Sequence, residues 1–319
     1  CIRDRRHGVG EDSHMATPQA GIFALGTRTH HHLEFDARPG ADRSAIAAAV
    51  EQLTEPHVTA GGNNIVIGFG AEHRRRQSAS PPADLGPFEP IDGLDGHSAA
   101  STQHDIWVWI HGTGSDVVLD TTIAVCAALA PVAELADETQ CFVYHDSRDL
   151  TGFVDGTENP GPSDAARVAS ITDGRPGAGG SHVIAQCWIH DLDSFNGLEV
   201  AQQQEVFGRT KPDSVALPRA ERPVDAHIMR AELLDDDGEE RQIYRRSVPF
   251  GDAAERGLYF LGFSCERDRF DGMLARMFGT SGDGVRDHLL DFSRAVTGSY
   301  YFAPSVEDLT AVSAPAPGS

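Results

Sequence analysis

Residues 105–112 read DIWVWIHG. In an extended chain Ile106, Val108 and Ile110 fall on one face and Trp107 and Trp109 on the other, the two-residue period of a β-strand. Upstream, HHHLEFDAR (30–38) reads as a second strand, and SAIAAAVEQL behind Asp42 and Ser44 as a helix with a polar start. NIVIGFG (64–70) is a β-branched run bounded by glycine, which suits a buried strand. Downstream, VVLDTTIAVCAALAPVAEL is Ala-rich and helical, with Pro131 ending or kinking it. From Gly21 to about Leu150 the order is strand, helix, strand, strand, helix, strand.

That order recurs after the Gly/Pro-rich stretch 152–180. SHVIAQCWIHD alternates as a strand, 195–207 is helical in composition, and HIMRAELL and GLYFLGFSC are strand-like. FDGMLARMFG places Phe270, Met273, Leu274, Met277 and Phe278 at helical spacing. Two halves of βαββαβ order predict an α+β fold of two ferredoxin-like domains, each an antiparallel sheet with helices packed on it, over residues 15–150 and 151–305. Met15 reads as the natural start, so 1–14 is expected to be a disordered upstream extension. The small, Pro-rich stretch 306–319 is expected to be a disordered tail.

The chain has 319 residues, with 26 Lys plus Arg against 48 Asp plus Glu, a net charge of −22. Such a polyanion is repelled by phosphate backbones, which argues against nucleic acid and anionic membranes as partners. The five cysteines, Cys1, Cys126, Cys141, Cys187 and Cys265, show no CxxC spacing, so reduced thiols are expected. No apolar run reaches the ~18 residues of a membrane span and no leader opens the chain, which predicts a cytoplasmic protein.

The densest polar segment is TGFVDGTENPG (151–161). Asp155-Gly156 invites a tight turn in which glycine accepts φ > 0. Glu158, Asn159 and Pro160 add more polarity than a turn requires, so the segment stands as either a site or a turn. His30, His31 and His32 look like a metal tract, but alternation sends neighbours to opposite faces, and a surface or partly buried strand is the plainer reading. His190, beside two acids in WIHDLD, reads as structural. His227 lies between a charged loop and an apolar stretch, where a side chain can enter a pocket. Arg245 and Arg246 are consecutive, so a strand turns one to solvent and the other to a pocket.

Together GFVDGTEN, GRTKPDS (208–214), His227 in HIMR, YRRSVPFG, LARMFGTSGDG and VTGSYYFAPS closely resemble the dye-decolourising peroxidase family, in its bacterial P-type (formerly B-type) branch. The resemblance runs in order from about Met15 to Ser305. It implies two ferredoxin-like domains in a dimeric α+β barrel-like arrangement, one non-covalent haem b held by the C-terminal domain, and oxidation of dyes, phenols and other aromatic reductants by hydrogen peroxide through a ferryl intermediate. By that resemblance His227 is the proximal iron ligand. Asp287, with Asp291 as fallback, is the acceptor that fixes its tautomer. Asp155 is the distal carboxylate and Arg245 the distal arginine. Arg209 pairs with a haem propionate, and Gly156 and Thr157 lie against the cofactor. Ser247 stands where relatives carry Asn or Ser, and its shorter hydroxyl reaches less far into the distal side.

Bulky dyes cannot reach a buried haem, so the same resemblance calls for radical sites at the surface. Trp107, Trp109, Trp188, Tyr244, Tyr300 and Tyr301 are candidates by type, with core packing the plainer reading of each. The resemblance further implies a homo-oligomer, from dimer to hexamer. Packaging in an encapsulin shell is unsupported, because the tail carries no Leu/Ile/Gly-rich docking motif. The alternative function is a haem- or porphyrin-handling protein with incidental peroxidase activity.

Overall fold

The structure, a computed structural model, describes residues 16–41, 43–53, 62–77 and 80–313. The extension 1–14 expected to be disordered lies outside the described residues.

Eight strands close on themselves. They are β1 (Thr29–Ala37), β2 (Asn64–Phe69), β3 (Ile106–Gly112), β4 (Ala133–Phe142), β5 (Ser181–His190), β6 (Val248–Gly251), β7 (Arg256–Ser264) and β8 (Ser299–Ala303). Around the barrel the order is β8-β2-β3-β1-β4-β6-β7-β5, and β5 pairs back to β8. Every pairing is antiparallel, and the halves meet at two seams through single registered pairs, Phe302 with Phe69 and Cys141 with Phe250. Strands Tyr244–Arg245 and Ser293–Ala295 extend β7 and β5 outside the ring.

Alternation decides what each layer contains. On the N-terminal half Leu33, Phe35, Ile106, Val108 and Ile110 point outward under the helices Arg43–Glu51 and Ser115–Leu129. The other faces of the same strands line the barrel, where His30, His32 and Glu34 register against His111, Trp109 and Trp107. The tryptophan and isoleucine faces of residues 105–112 thus separate as their period requires, and the helix that ends at Leu129 stops just short of Pro131. On the C-terminal half Ile184, Trp188 and Tyr300 face outward against Phe270, Met273, Leu274 and Met277 of the helix Asp268–Met277.

Four expectations need correction. HIMRAELL is not a strand: His227–Ala231 is a short helix, because a brief apolar run does not distinguish the two and tertiary contacts decide. Arg230 of that helix is buried, bonded to the Arg276 carbonyl and to Asp283. The tail expected to be disordered forms a helix over Val306–Ser313 whose Leu309 is buried against the N-terminal half, while 314–319 lie outside the described residues. The histidine tract is not at the surface: all three rings are buried, and no metal-binding group of His, Cys, Asp or Glu occurs among the described residues. Arg246 does not face solvent. It turns into the barrel, its guanidinium 5.0 Å from the Trp109 ring, and donates to the carbonyls of Ile22 and Ala24.

Burial keeps the barrel histidines neutral. It pushes His30 down to about 3 and His111 to about 2, in both cases with help from the Arg246 charge and the neighbouring rings. His32 also lies well below its ordinary value, stacked 3.8 Å from the Tyr259 ring with neither ring nitrogen hydrogen-bonded. A histidine whose pKa is depressed by folding contributes stability that is complete above pH 6.5 and is lost as pH falls. Each such ring costs about 1.4 kcal/mol per pH unit below about pH 6. His32→Phe, which removes two unsatisfied polar atoms, is therefore expected to stabilise the fold by ~1–3 kcal/mol, with the larger gain at pH 5.5. Urea midpoints at pH 7.5 and 5.5 check this, and a loss at both would contradict it.

Candidate active site

The C-terminal half carries a large cavity on the outer face of β5 and β7. Trp188, Leu258 and Phe260 from the strands, Met273, Leu274 and Met277 from the facing helix, and Phe207, Ile228 and Leu290 give it an apolar lining. Asp155, Arg245, His227, Arg209 and Arg222 supply charge.

His227 opens the helix His227–Ala231. Its Nδ1 lies 2.7 Å from Oδ2 of Asp287, which is fully buried and whose other oxygen accepts the Leu289 N–H at 2.9 Å. An ionised carboxylate can only accept, so the proton sits on Nδ1 and Nε2 keeps its lone pair on the cavity side. The fallback Asp291 is instead paired with His97 and Arg286.

A further part of the wall comes from the segment 151–161, through Phe153 to Glu158. Gly156 takes φ +72°, and a Cβ there would lie 3.2 Å from the Asn159 amide nitrogen. Asn159 is why the segment is more than a turn: its Nδ2 donates to the Arg245 carbonyl and its Oδ1 accepts the Arg245 N–H, both at 2.8 Å. One side chain thus fixes the loop carrying Asp155 against the strand carrying Arg245. Burial raises the Asp155 pKa above the ordinary carboxylate range, opposed by the Arg245 charge and reinforced by the nearby Asp149. Nε of Arg245 is buried without a hydrogen-bond partner.

Arg209 follows the helix Val200–Phe207, whose C-cap Gly208 is left-handed. It is held by the Ser214 carbonyl and by Glu158 at 2.5 Å. Gly156 and Thr157 line the cavity as well. Ser247 is not brought there: its hydroxyl accepts the Leu261 N–H at 3.3 Å, and it is absent from the cavity lining. The six aromatic candidates for surface radicals are all buried, none more than 6% exposed, so none stands at the surface.

Sequence reasoning missed one feature. His190 Nε2 lies 3.1 Å from Oδ1 of Asp149, and its Nδ1 lies 2.9 Å from Oγ of Ser293. The sequence offered the adjacent acids as partners, but the real ones are 41 and 103 residues away, a pairing that no local signal encodes.

The lining suits a flat, apolar macrocycle bearing a metal and anionic edge groups. The lining brings together the His227 imidazole, the Asp155 carboxylate, an unpaired Arg245 N–H and the guanidinium groups of Arg209 and Arg222. Comparison with known proteins agrees. Residues 146–308 match the family described as Dyp-type peroxidase, C-terminal. The chain is 38% identical over 256 residues to a dye-decolorizing peroxidase of Rhodococcus erythropolis, covering 79% of this chain and 75% of that one. It is 35% identical over 296 residues to one from Brevibacterium linens, covering 92% and 79%. Among solved structures, a Rhodococcus jostii RHA1 DypB variant in complex with haem superposes with a TM-score of 0.83 at 35% identity, over 95% of this chain and 97% of that one.

Asn159→Ala removes both bonds to the Arg245 backbone and is expected to cost ~1–3 kcal/mol. Chemical denaturation measures the loss, and an unchanged midpoint would show that the clamp carries no energy.

Proposed function

The chain belongs to the dye-decolourising peroxidase family and is a haem-dependent peroxidase, and on that premise we propose how its own residues divide the work. His227 would hold the iron through Nε2, and Arg209 and Arg222, which line the same cavity, would meet the propionates. Bound haem would supply the iron at which hydrogen peroxide is split and would store the oxidising equivalents that dyes, phenols and other aromatic reductants then consume by donating electrons. Asp287 anchors the His227 ring and, by accepting its Nδ1 proton, makes the other nitrogen more electron-donating.

The Asp155 carboxylate takes the proton from one peroxide oxygen and returns it to the other as the bond between them breaks. Arg245 meets the developing negative charge with a fixed positive one, its buried Nε–H left without a protein partner. Ser247, engaged with Leu261, leaves this work to Asp155 and Arg245. The observation that supports the reading is that one cavity is lined both by the imidazole of a carboxylate–imidazole pair and by a clamped carboxylate–guanidinium pair. Haem or porphyrin handling is not favoured, because binding and release give the second pair nothing to do.

Each half of the barrel is read as a ferredoxin-like unit, supported by the matching strand orders β4-β1-β3-β2 and β8-β5-β7-β6. A reducing, cytoplasmic setting is supported by four described cysteines, all free thiols. No helix among the described residues is long and apolar enough to cross a membrane.

Asp155 works ionised, and its pKa is raised, so the rate of reaction with peroxide is expected to rise with pH through a midpoint above the ordinary carboxylate range. In Asp155→Ala that dependence disappears and the rate falls at least about tenfold. Arg245→Leu removes the charge that lowers the Asp155 pKa, so the midpoint moves upward as the rate drops. Stopped-flow mixing of the haem-loaded variants with peroxide measures both, and wild-type kinetics in the two variants would refute the assignment.

A further inference from the structure

A second cavity adjoins the first. His190, Ser293 and Leu290 form the wall they share, and the outer side of the second is bounded by the exposed residues Gly96, Asp191, Asp291 and Arg294. The hydrogen-bonded chain Ser293–His190–Asp149 crosses that wall. All three residues are buried, at 5%, 9% and 7% exposure. Asp149 lines only the inner cavity of the two, where its charge is felt by Asp155. The loop explains their proximity: Asp155 N–H donates to the Ser147 carbonyl and Asp149 N–H to that of Phe153, folding 147–155 back on itself.

We propose that Ser293, His190 and Asp149 form a proton path from the solvent of the second cavity to the peroxide side of the first. The proposal rests on the reading of Asp155 given above. Reducing one hydrogen peroxide to two waters consumes two electrons and two protons. A dye too large to enter delivers only electrons, so both protons must come from solvent.

The chain has the chemistry to carry them. Asp149, whose pKa is lowered despite burial by His190 and by hydrogen bonds from Thr151 and Leu150, accepts from Nε2–H, which leaves Nδ1 to accept from the Ser293 hydroxyl. Ser293 passes its proton to Nδ1 and takes one from water, while Nε2 passes its own to Asp149. Asp149 then releases its proton to the inner cavity, and the ring resets by turning about its Cβ–Cγ bond, exchanging its Nδ1 proton for one on Nε2 with water of the second cavity, and turning back, so that each cycle carries one proton inward. The charged groups facing this chain are Asp155 on the inner side and His97, Asp191, Asp291 and Arg294 on the outer.

The test uses haem-loaded protein without peroxide or reductant. After a pH jump, the haem absorption band reports how fast protons reach the inner cavity. Glutamine can hydrogen-bond both neighbours yet cannot pass a proton through a ring, so His190→Gln is expected to slow this response about tenfold or more while leaving its end points unchanged. Ser293→Ala, which removes one hydroxyl, should slow it in the same direction, and the melting temperature of each variant verifies the fold. During turnover the reduction phase should show an increased solvent deuterium effect in both. Wild-type responses in both variants overturn the path, whatever Asp155 does. Slow responses in both, with peroxide reacting normally in Asp155→Ala, would support the path and refute only the role of Asp155.

Discussion

A strand in a closed barrel has no free edge, and the rest of the structure depends on that constraint. Each successive side chain must point either into the barrel or to its outer side, and a slip of one residue would exchange every pair. On β7, Tyr259 enters the barrel while Leu258 and Phe260 line the cavity, and on β5 the same alternation sends Cys187 inward and Trp188 and His190 outward. Arg245 and Arg246 obey it too, one reaching the cavity and the other lying over Trp109.

The site inherits its precision from that framework. Its two walls come from distant parts of the chain, and each is fastened by a buried polar bond: Asp287 to His227 on one side, Asn159 to the Arg245 backbone on the other. The electrostatics follow from placement. In a chain of net charge −22, the cavity sets Arg245, Arg209 and Arg222 among the carboxylates of Asp149, Asp155, Glu158, Glu232 and Glu240, and Asp155 is poised between the burial that raises its pKa and the guanidinium that lowers it. Apolar walls with few, convergent charges are the usual makeup of a cofactor site.

Much of this was legible in the sequence. The alternation of residues 105–112 and the repeated element order gave the layers, and the motif around Asp155 together with His227 and Arg245 gave both walls. What escaped depends on contacts between distant residues. His227–Ala231 is helical because Arg276 anchors Arg230 and Asp287 anchors His227, and neither partner is local. Val306–Ser313 is ordered because Leu309 finds the N-terminal core. Asp149, His190 and Ser293 come together only when β5 and the strand Ser293–Ala295 pair. Ser247 shows the reverse case, a polar residue in a family motif whose hydroxyl is engaged by its own sheet.

The central claim is that one imidazole, oriented by a buried carboxylate, receives the cofactor opposite Asp155 and Arg245. Titrating cofactor-free protein with haem b and following the Soret band tests it most directly, in the wild type beside His227→Ala. The account predicts a wild-type band that saturates at one equivalent and a variant whose band is shifted and whose haem is held less tightly. Identical bands and affinities in the two proteins would contradict it.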